Sequence, residues 1–425
     1  MREVPGASLF ETKSPGMFSD RKYKNNLLGF YNSKVANFFL QMVAPTLDYK
    51  IGPVLGIPFL PNIEVPNIEK MVDISRSDWN AYESSVAFQT NPLISIGVSL
   101  STLKLSYEIT RDHWNHITQQ MQLFERENNK AFISGFDLTN EIDPEVPLKE
   151  ITLTCNPNYR FAVDNTNEEL EALLVSDTAK ELISYAIGCM MGRYSLDEPG
   201  LIYAHAGNVG FEPGRYASFT ADADGIVPIT DELWFADDAP SRIRDFLRTV
   251  WGPDTLEENM AWLAESLGTK ASETPDETIR RYIADKFFKD HLQTYKKRPI
   301  YWLFSSGKQG AFQALVYLHR YHEGTLARLR AEYVVPLTGK IQSRIEMLQK
   351  DAAAASSTAA RNKLAKEVEK LKKKHVELLA YDEQLRHYAD MRITLDLDDG
   401  VKVNYGKFGD LLDSVKVVTG GAVDE

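Results

Sequence analysis

Two apolar stripes near the C-terminus constrain this fold more than any other feature. Leu326, Leu329, Tyr333, Leu337, Ile341, Ile345 and Leu348 recur at three- and four-residue steps, and Leu364, Val368, Leu371, His375 and Leu378 repeat the pattern beyond the spacer DAAAASSTAA. Each stripe reads as one face of a long helix, the first kinked at Pro336. A short spacer of small residues between two long helices predicts that they fold back as an antiparallel hairpin. Lys366, Lys370, Lys372, Lys373 and Lys374 crowd the second stripe, either as a solvated helix face or as a surface that follows phosphates. The tail ITLDLDDGVKVNYGKFGDLL then suggests a short β-hairpin around Asp399-Gly400 and a closing helix.

Immediately upstream, residues 291–330 carry seven basic side chains (Lys296, Lys297, Arg298, Lys308, Arg320, Arg328 and Arg330) against one acid, Glu323. Tyr301, Trp302, Phe304 and Phe312 are interleaved with them. Basic and aromatic residues mixed in this way suit nucleic acid, yet the whole chain carries a net charge of −12. Any attraction to phosphate must therefore come from a local patch. Within the stretch, IYWLF reads as a buried strand leading to the Ser305-Ser306-Gly307 turn, and a helix is expected from Gln309 through His319. Tyr301 and Trp302 are expected in the core. SGKQG is not a phosphate-binding P-loop, because its glycine-lysine frame is incomplete and Gln309 replaces the metal-binding hydroxyl.

The rest of the chain is globular in composition. Its 425 residues suggest roughly two or three domains. Cys155 and Cys189 alone cannot form a disulfide framework, and a reducing cytosol suits such a chain. Neither a signal peptide nor a long apolar span is present in the sequence, so no membrane role is expected and the chain reads as cytoplasmic. Residues 221–290 hold 16 acidic against 8 basic side chains without calcium-loop spacing, and read as a solvated face that keeps DNA to one side.

Near the N-terminus, Leu27, Leu28, Phe30, Tyr31, Val35, Phe38, Phe39 and Met42 recur at helical spacing up to Pro45. Turns at Gly52-Pro53 and Gly56, a short strand and the extended, proline-bounded IPFLPNIEVP follow. Residues 68–131 read as mainly helical, with Trp79, Tyr82, Trp114 and Phe124 as core anchors. His113 and His116 share a helix face at metal-ligand spacing, but no third ligand completes a site, so ordinary histidines are the preferred reading. Residues 168–194 read as two helices, with Asp177 capping the second and Gly188 and Gly192 leaving a flat side; Arg193 at the exit is a candidate phosphate contact. In TCNPNYRF, Asn156, Pro157, Asn158 and Tyr159 imitate the Asn-Pro-Pro-aromatic turn that binds a flipped adenine. The second proline is missing, and no glycine-rich cofactor turn precedes it, so a plain Asn-Pro turn is expected.

KRPIYWLFSSGKQGAFQALVYLHRY, ISYAIGCMMGRYSLDEPG, TCNPNYRF and LDDGVKVNYGKF together resemble the C-terminal part of the PglX family of adenine-specific DNA methyltransferases from BREX phage defence. The opening NLLGFYNSKVANFFLQMVAPTLDYKIGPVLGIPFLP also resembles target-recognition segments of type IIG restriction-modification enzymes and type I specificity subunits. The resemblance implies site-specific methylation of adenine with S-adenosylmethionine. It also places the family's cofactor and catalytic motifs in an N-terminal half not contained here, so the chain is expected to be a recognition piece with no cofactor of its own. Implied partners are double-stranded DNA, the N-terminal methyltransferase half, other BREX proteins and a phage inhibitor. The candidate DNA contacts are Lys296, Lys297, Arg298, Lys308 and Arg320, with Arg193 and Arg160 behind them. The implied fold is α+β and predominantly helical. Residues 1–75 form the tail of a target-recognition-like segment, 76–325 a mixed helical and strand domain, and 326–425 a helical hairpin with a closing β-hairpin and helix. Two alternatives stay open: a protein-interaction module with little DNA affinity, and a divergent stand-alone methyltransferase using residues 156–159.

Overall fold

The computed structural model describes residues 3, 16–44, 51–97, 102–161 and 165–420. Among them helix predominates and the strands form one small sheet, in agreement with the α+β, mainly helical expectation. The chain divides into two compact units: Met1–Ser85 with Glu108–Leu174, and Val86–Tyr107 with Val175–Glu425.

In the first unit, the single helix expected before Pro45 is two, Lys24–Tyr31 and Lys34–Val43. The break has a local cause: Ser33 is extended, and its hydroxyl accepts the Ala36 amide as the cap of the second helix. Pro45 itself lies outside the described residues. Phe30, Val35, Ala36 and Leu40 pack against Ile57, Phe132 and Ile133, with the Phe30 ring 5.5 Å from both Phe59 and Phe132. Residues 57–66 follow as neither helix nor strand, as their prolines require. Gly52-Pro53, expected as a turn, lies inside a short helix, Ile51–Gly56, and no strand forms among the described residues of this region.

Trp114 is buried as expected, whereas Trp79 is 50% exposed and anchors no core. His113 and His116 both face solvent, and no metal-holding cluster occurs among the described residues. Asn156 is 1% exposed and fully engaged: its side chain caps the short helix Pro157–Arg160 and donates to the carbonyls of Leu148 (2.8 Å) and Ile151 (2.9 Å). The Asn-Pro turn is thus a structural joint. The Asp78 carboxylate ties the preceding residues down by accepting the amides of Thr154 (2.7 Å) and Cys155 (2.9 Å).

The second unit is built on a three-stranded antiparallel sheet, with β1 Ile226–Pro228, β2 Tyr301–Ser305 and β3 Gln313–Tyr317 in the order β1-β3-β2. β2 matches the expected buried strand. The helix expected from Gln309 is instead β3. A short apolar run fits either state, and here pairing with both β1 and β2 decides for strand. Opposed pairs share a face, so Tyr301, Leu303, Leu315 and Tyr317 lie on one side, and Trp302, Phe304, Ala314 and Val316 on the other.

The tail covers the Trp302 face: the Tyr405 and Phe408 rings stand 5.2 and 5.6 Å from Trp302. This tail is not the expected hairpin. Asp396 accepts the Asp398 amide, Asn404 donates to the Gly400 carbonyl (2.9 Å), and Gly400–Gly406 closes as a helix. Likewise, residues 168–190 belong to one helix, Asn167–Met190, and Asp177 sits inside it paired with Lys180 at 3.0 Å.

The hairpin stands as expected, from Val335–Ala354 and Thr358–Asp390; Pro336, expected to kink the first stripe, directly follows a π-helical segment, Leu329–Val334, that runs into the first helix. Ion pairs fix its antiparallel sense, since Arg344 meets Glu367 and Arg330, just before the first helix, meets Asp382. Its lysines are partly neutralised: Lys374, 1% exposed, binds Asp231 (2.6 Å), Lys370 reaches Asp231 and Glu232, and Lys372 pairs with Glu369. Gly188 shows how tightly the unit is packed, because a Cβ there would lie 2.5 Å from the Tyr194 ring and 3.0 Å from the Tyr301 hydroxyl. Gly188→Ala is expected to destabilise the protein by about 1–3 kcal/mol in urea unfolding.

Candidate nucleic-acid interface

The helix Phe288–Thr294 ends where the basic run begins, and the chain reverses there through two consecutive left-handed residues, Lys296 (φ +50°) and Lys297 (φ +61°). Neither is glycine, and left-handed backbone costs such residues roughly 1–2 kcal/mol each. The turn is held by the Lys297 amide donating to the Leu292 carbonyl (2.7 Å) and the Arg298 amide to that of Tyr295 (2.9 Å). Downstream, buried His291 fixes the entry to β2, its Nε2 accepting the amides of Ile300 (3.1 Å) and Tyr301 (3.2 Å). Trp302 anchors the same corner by donating from Nε1 to the Pro299 carbonyl at 3.0 Å. Lys296, Lys297 and Arg298 therefore project from a backbone fixed on both sides, all three exposed and, among the described residues, in no ion pair.

Lys308 is exposed too and, among the described residues, in no ion pair, but it stands at the other end of β2. A five-residue strand, about 16 Å long at ~3.3 Å per residue, lies between it and the first cluster. Its loop wraps a carboxylate from the hairpin: Glu377 accepts from the Ser306 hydroxyl (2.8 Å), the Gln309 amide (2.7 Å) and the Ala311 amide (3.2 Å). Gly307, at φ +126°, gives this loop a conformation that side chains disfavour.

The remaining candidates are placed otherwise. Arg320 is 1% exposed and serves the fold: Nε donates to Asn208 Oδ1 (3.0 Å), Nη1 and Nη2 to the carbonyls of Asp222 and Ala223 (2.5 and 2.8 Å), and the guanidinium lies 3.8 Å from the Phe211 ring centre. Three loop acceptors converge where β3 ends, so this cation is turned inward and is no surface contact. Arg193 is half-buried among tyrosines. Arg160 belongs to the first unit and lies over the rings of Tyr82 and Phe161. Arg328 and Arg330 are paired with Glu332 and Asp382. Of the seven basic residues in the stretch, four remain as surface cations with no ion pair among the described residues. His291 and Glu377, which hold their two mounts, escaped the sequence reading because a histidine five residues upstream and a glutamate on a lysine-rich helix carry no local signal.

Burial, and secondarily the Arg193 charge, push the His291 imidazole down to about 3, so it is neutral in the fold, as a double acceptor must be. The unfolded chain holds its proton up to about 6.5 and so binds more protons than the native state between about 3 and 6.5. This contribution is present in full above that window and is lost as pH falls through it. His291→Gln, which keeps an acceptor but cannot titrate, is expected to flatten the fall in urea-unfolding stability from pH 6.5 to 4 by up to one proton equivalent, ~1.4 kcal/mol per pH unit.

No protein-family model matches the chain. It is 45% identical over 437 aligned residues to the adenine-specific methyltransferase BrxX of Escherichia coli O9:H4 (strain HS), an alignment covering 99% of this chain and 36% of that protein. It is 36% identical over 418 residues to the adenine-specific methyltransferase PglX of Lacticaseibacillus casei (strain Zhang), covering 96% of this chain and 33% of that one. Over nearly its whole length this chain is therefore related to the adenine-specific methyltransferases BrxX and PglX, and it spans about a third of the length of each.

Proposed function

We propose that this chain is the DNA-recognition and assembly portion of a BREX adenine-specific DNA methyltransferase, acting in phage defence. Methyl transfer from S-adenosylmethionine is then the task of the part of such an enzyme to which these residues do not correspond. The observation that carries this reading is the turn at residues 296–298, where three unpaired cations stand on a strained, doubly anchored backbone in a chain of net charge −12. Strain held in place by surrounding structure is a mark of functional turns. Such cations fit duplex phosphates, and Lys308 offers a second contact beyond the far end of β2. Phosphate contacts set register, and base-edge contacts supply ~1–3 kcal/mol of discrimination each. Arg320 has no part in this surface, since its guanidinium is enclosed.

A second reading, a protein-interaction module for BREX partners or a phage inhibitor, is favoured by the acidic surface. Fluorescence anisotropy with duplex DNA from about 25 to about 300 mM salt separates the two. The DNA reading expects binding that weakens steeply with salt, and expects Lys296→Glu/Lys297→Glu/Arg298→Glu to lower the log-log salt slope by about two to three. Salt-independent or absent binding by the chain alone supports the interaction module. An unchanged slope in the triple variant removes residues 296–298 from the DNA surface.

A further inference from the structure

Arg193 follows the helix Asn167–Met190 in a turn that Gly192 makes at φ +76°. Its Nε donates to the Tyr194 hydroxyl (3.0 Å) and Nη1 to that of Tyr317 (3.4 Å), and its guanidinium lies 5.2 Å from the centre of the Tyr194 ring. No carboxylate pairs with it among the described residues. The side chains around it are tyrosines 194, 301, 317 and 295, all uncharged. Other arginines of the same unit are treated differently: Arg280, Arg281 and Arg330 each meet an acid, in Asp238, Glu273 and Asp382. A half-buried cation without a counter-charge is costly unless something supplies one.

The groups beside it deepen the deficit. His319, at the end of β3, is half-buried with no hydrogen-bond partner on Nδ1, and its ring lies 5.1 Å from that of Tyr317. Its carbonyl accepts the Asn208 amide (3.0 Å), which draws the 205–210 loop against it. That loop brings exposed His205, whose ring stands 5.9 Å from Tyr203, and the Tyr317 hydroxyl in turn donates to the Tyr203 carbonyl (2.7 Å). Burial, then Arg193 and His205, hold the His319 imidazole down at about 4. Arg193 and His205 thus both act on His319, and no acid is among the charges that do.

We propose that Arg193, His205 and His319 form a binding site for a phosphate group, the guanidinium giving a charge-assisted hydrogen bond from Nη2 and the two imidazoles donating beside it. The group is either a backbone phosphodiester of DNA or a free phosphate, since both present the same oxygens. This goes beyond the reading of residues 296–298 and uses different side chains.

The test uses the full chain and inorganic phosphate at about 10 mM against sodium chloride of equal ionic strength, read as Tm. Phosphate is expected to raise Tm by about 2–4 °C over chloride. The His205→Ala/His319→Gln variant, which leaves the Arg193–tyrosine cluster intact, is expected to lose that rise while keeping its Tm in chloride. Arg193→Lys, which keeps the charge and loses the planar fork, should reduce it. No phosphate-specific rise in the wild type, or an undiminished rise in the double variant, overturns the site. Competition of phosphate with duplex DNA in anisotropy assigns the site to backbone phosphodiester, whereas a rise in Tm without competition assigns it to free phosphate. Failure of this site leaves the 296–298 turn untouched, because the triple reversal tests that turn separately.

Discussion

The second unit depends on one constraint: strands β2 and β3 are covered on both faces although their sheet has only three strands. A sheet this small cannot shield its own aromatic residues, so each face needs a helical cover, and each polar ring atom needs a partner within that cover. On one face Tyr405 and Phe408 close over Trp302, whose Nε1 is satisfied at Pro299. On the other, His291 stacks 4.9 Å from Tyr301, and Gly188 removes a side chain that would strike the Tyr301 hydroxyl. The basic turn exists because the chain must pass from the helix carrying His291 into β2 within a few residues.

How much of this the sequence disclosed depended on how local each cause was. The hairpin was legible because its apolar period runs through two long helices and needs no distant partner to be recognised. β2 was legible for its run of large buried side chains. β3 was not, since Gln313 to Tyr317 fits a helix face equally well until β1, almost ninety residues earlier, pairs with it. Arg320 misled for the same reason: arginine is ordinarily a surface residue, and only folding brings the carbonyls of Asp222 and Ala223 onto its guanidinium. The resemblance to PglX proteins was carried by four scattered segments, and the relationship to BrxX and PglX spans nearly the whole chain. Of the candidate site, the sequence showed which side chains were basic, but not which would already be neutralised.

That neutralisation decides how the net charge should be read. The acidic segment 221–290 does not simply repel, since Asp231 and Glu232 reach Lys370 and Lys374 of the hairpin, and Asp238 and Glu273 hold Arg280 and Arg281. Two of the hairpin's five clustered lysines, Lys370 and Lys374, are neutralised by these contacts. The surface cations that remain unpaired around β2 gain prominence from this, because nearby positive charge has been withdrawn into the fold.

An unpaired exposed lysine costs nothing, as water solvates it, so exposure alone would not single out residues 296–298. The cost there lies in the backbone: two non-glycine residues in left-handed conformation, at roughly 1–2 kcal/mol each, where glycine would adopt the same angles freely. Arg193 presents the reverse case, with an ordinary surface-type side chain half enclosed by tyrosines that offer hydroxyls but no negative charge. In the turn, strain is accepted to hold cations outward; at Arg193, desolvation is accepted to hold a cation inward. Both placements run against what stability alone would select.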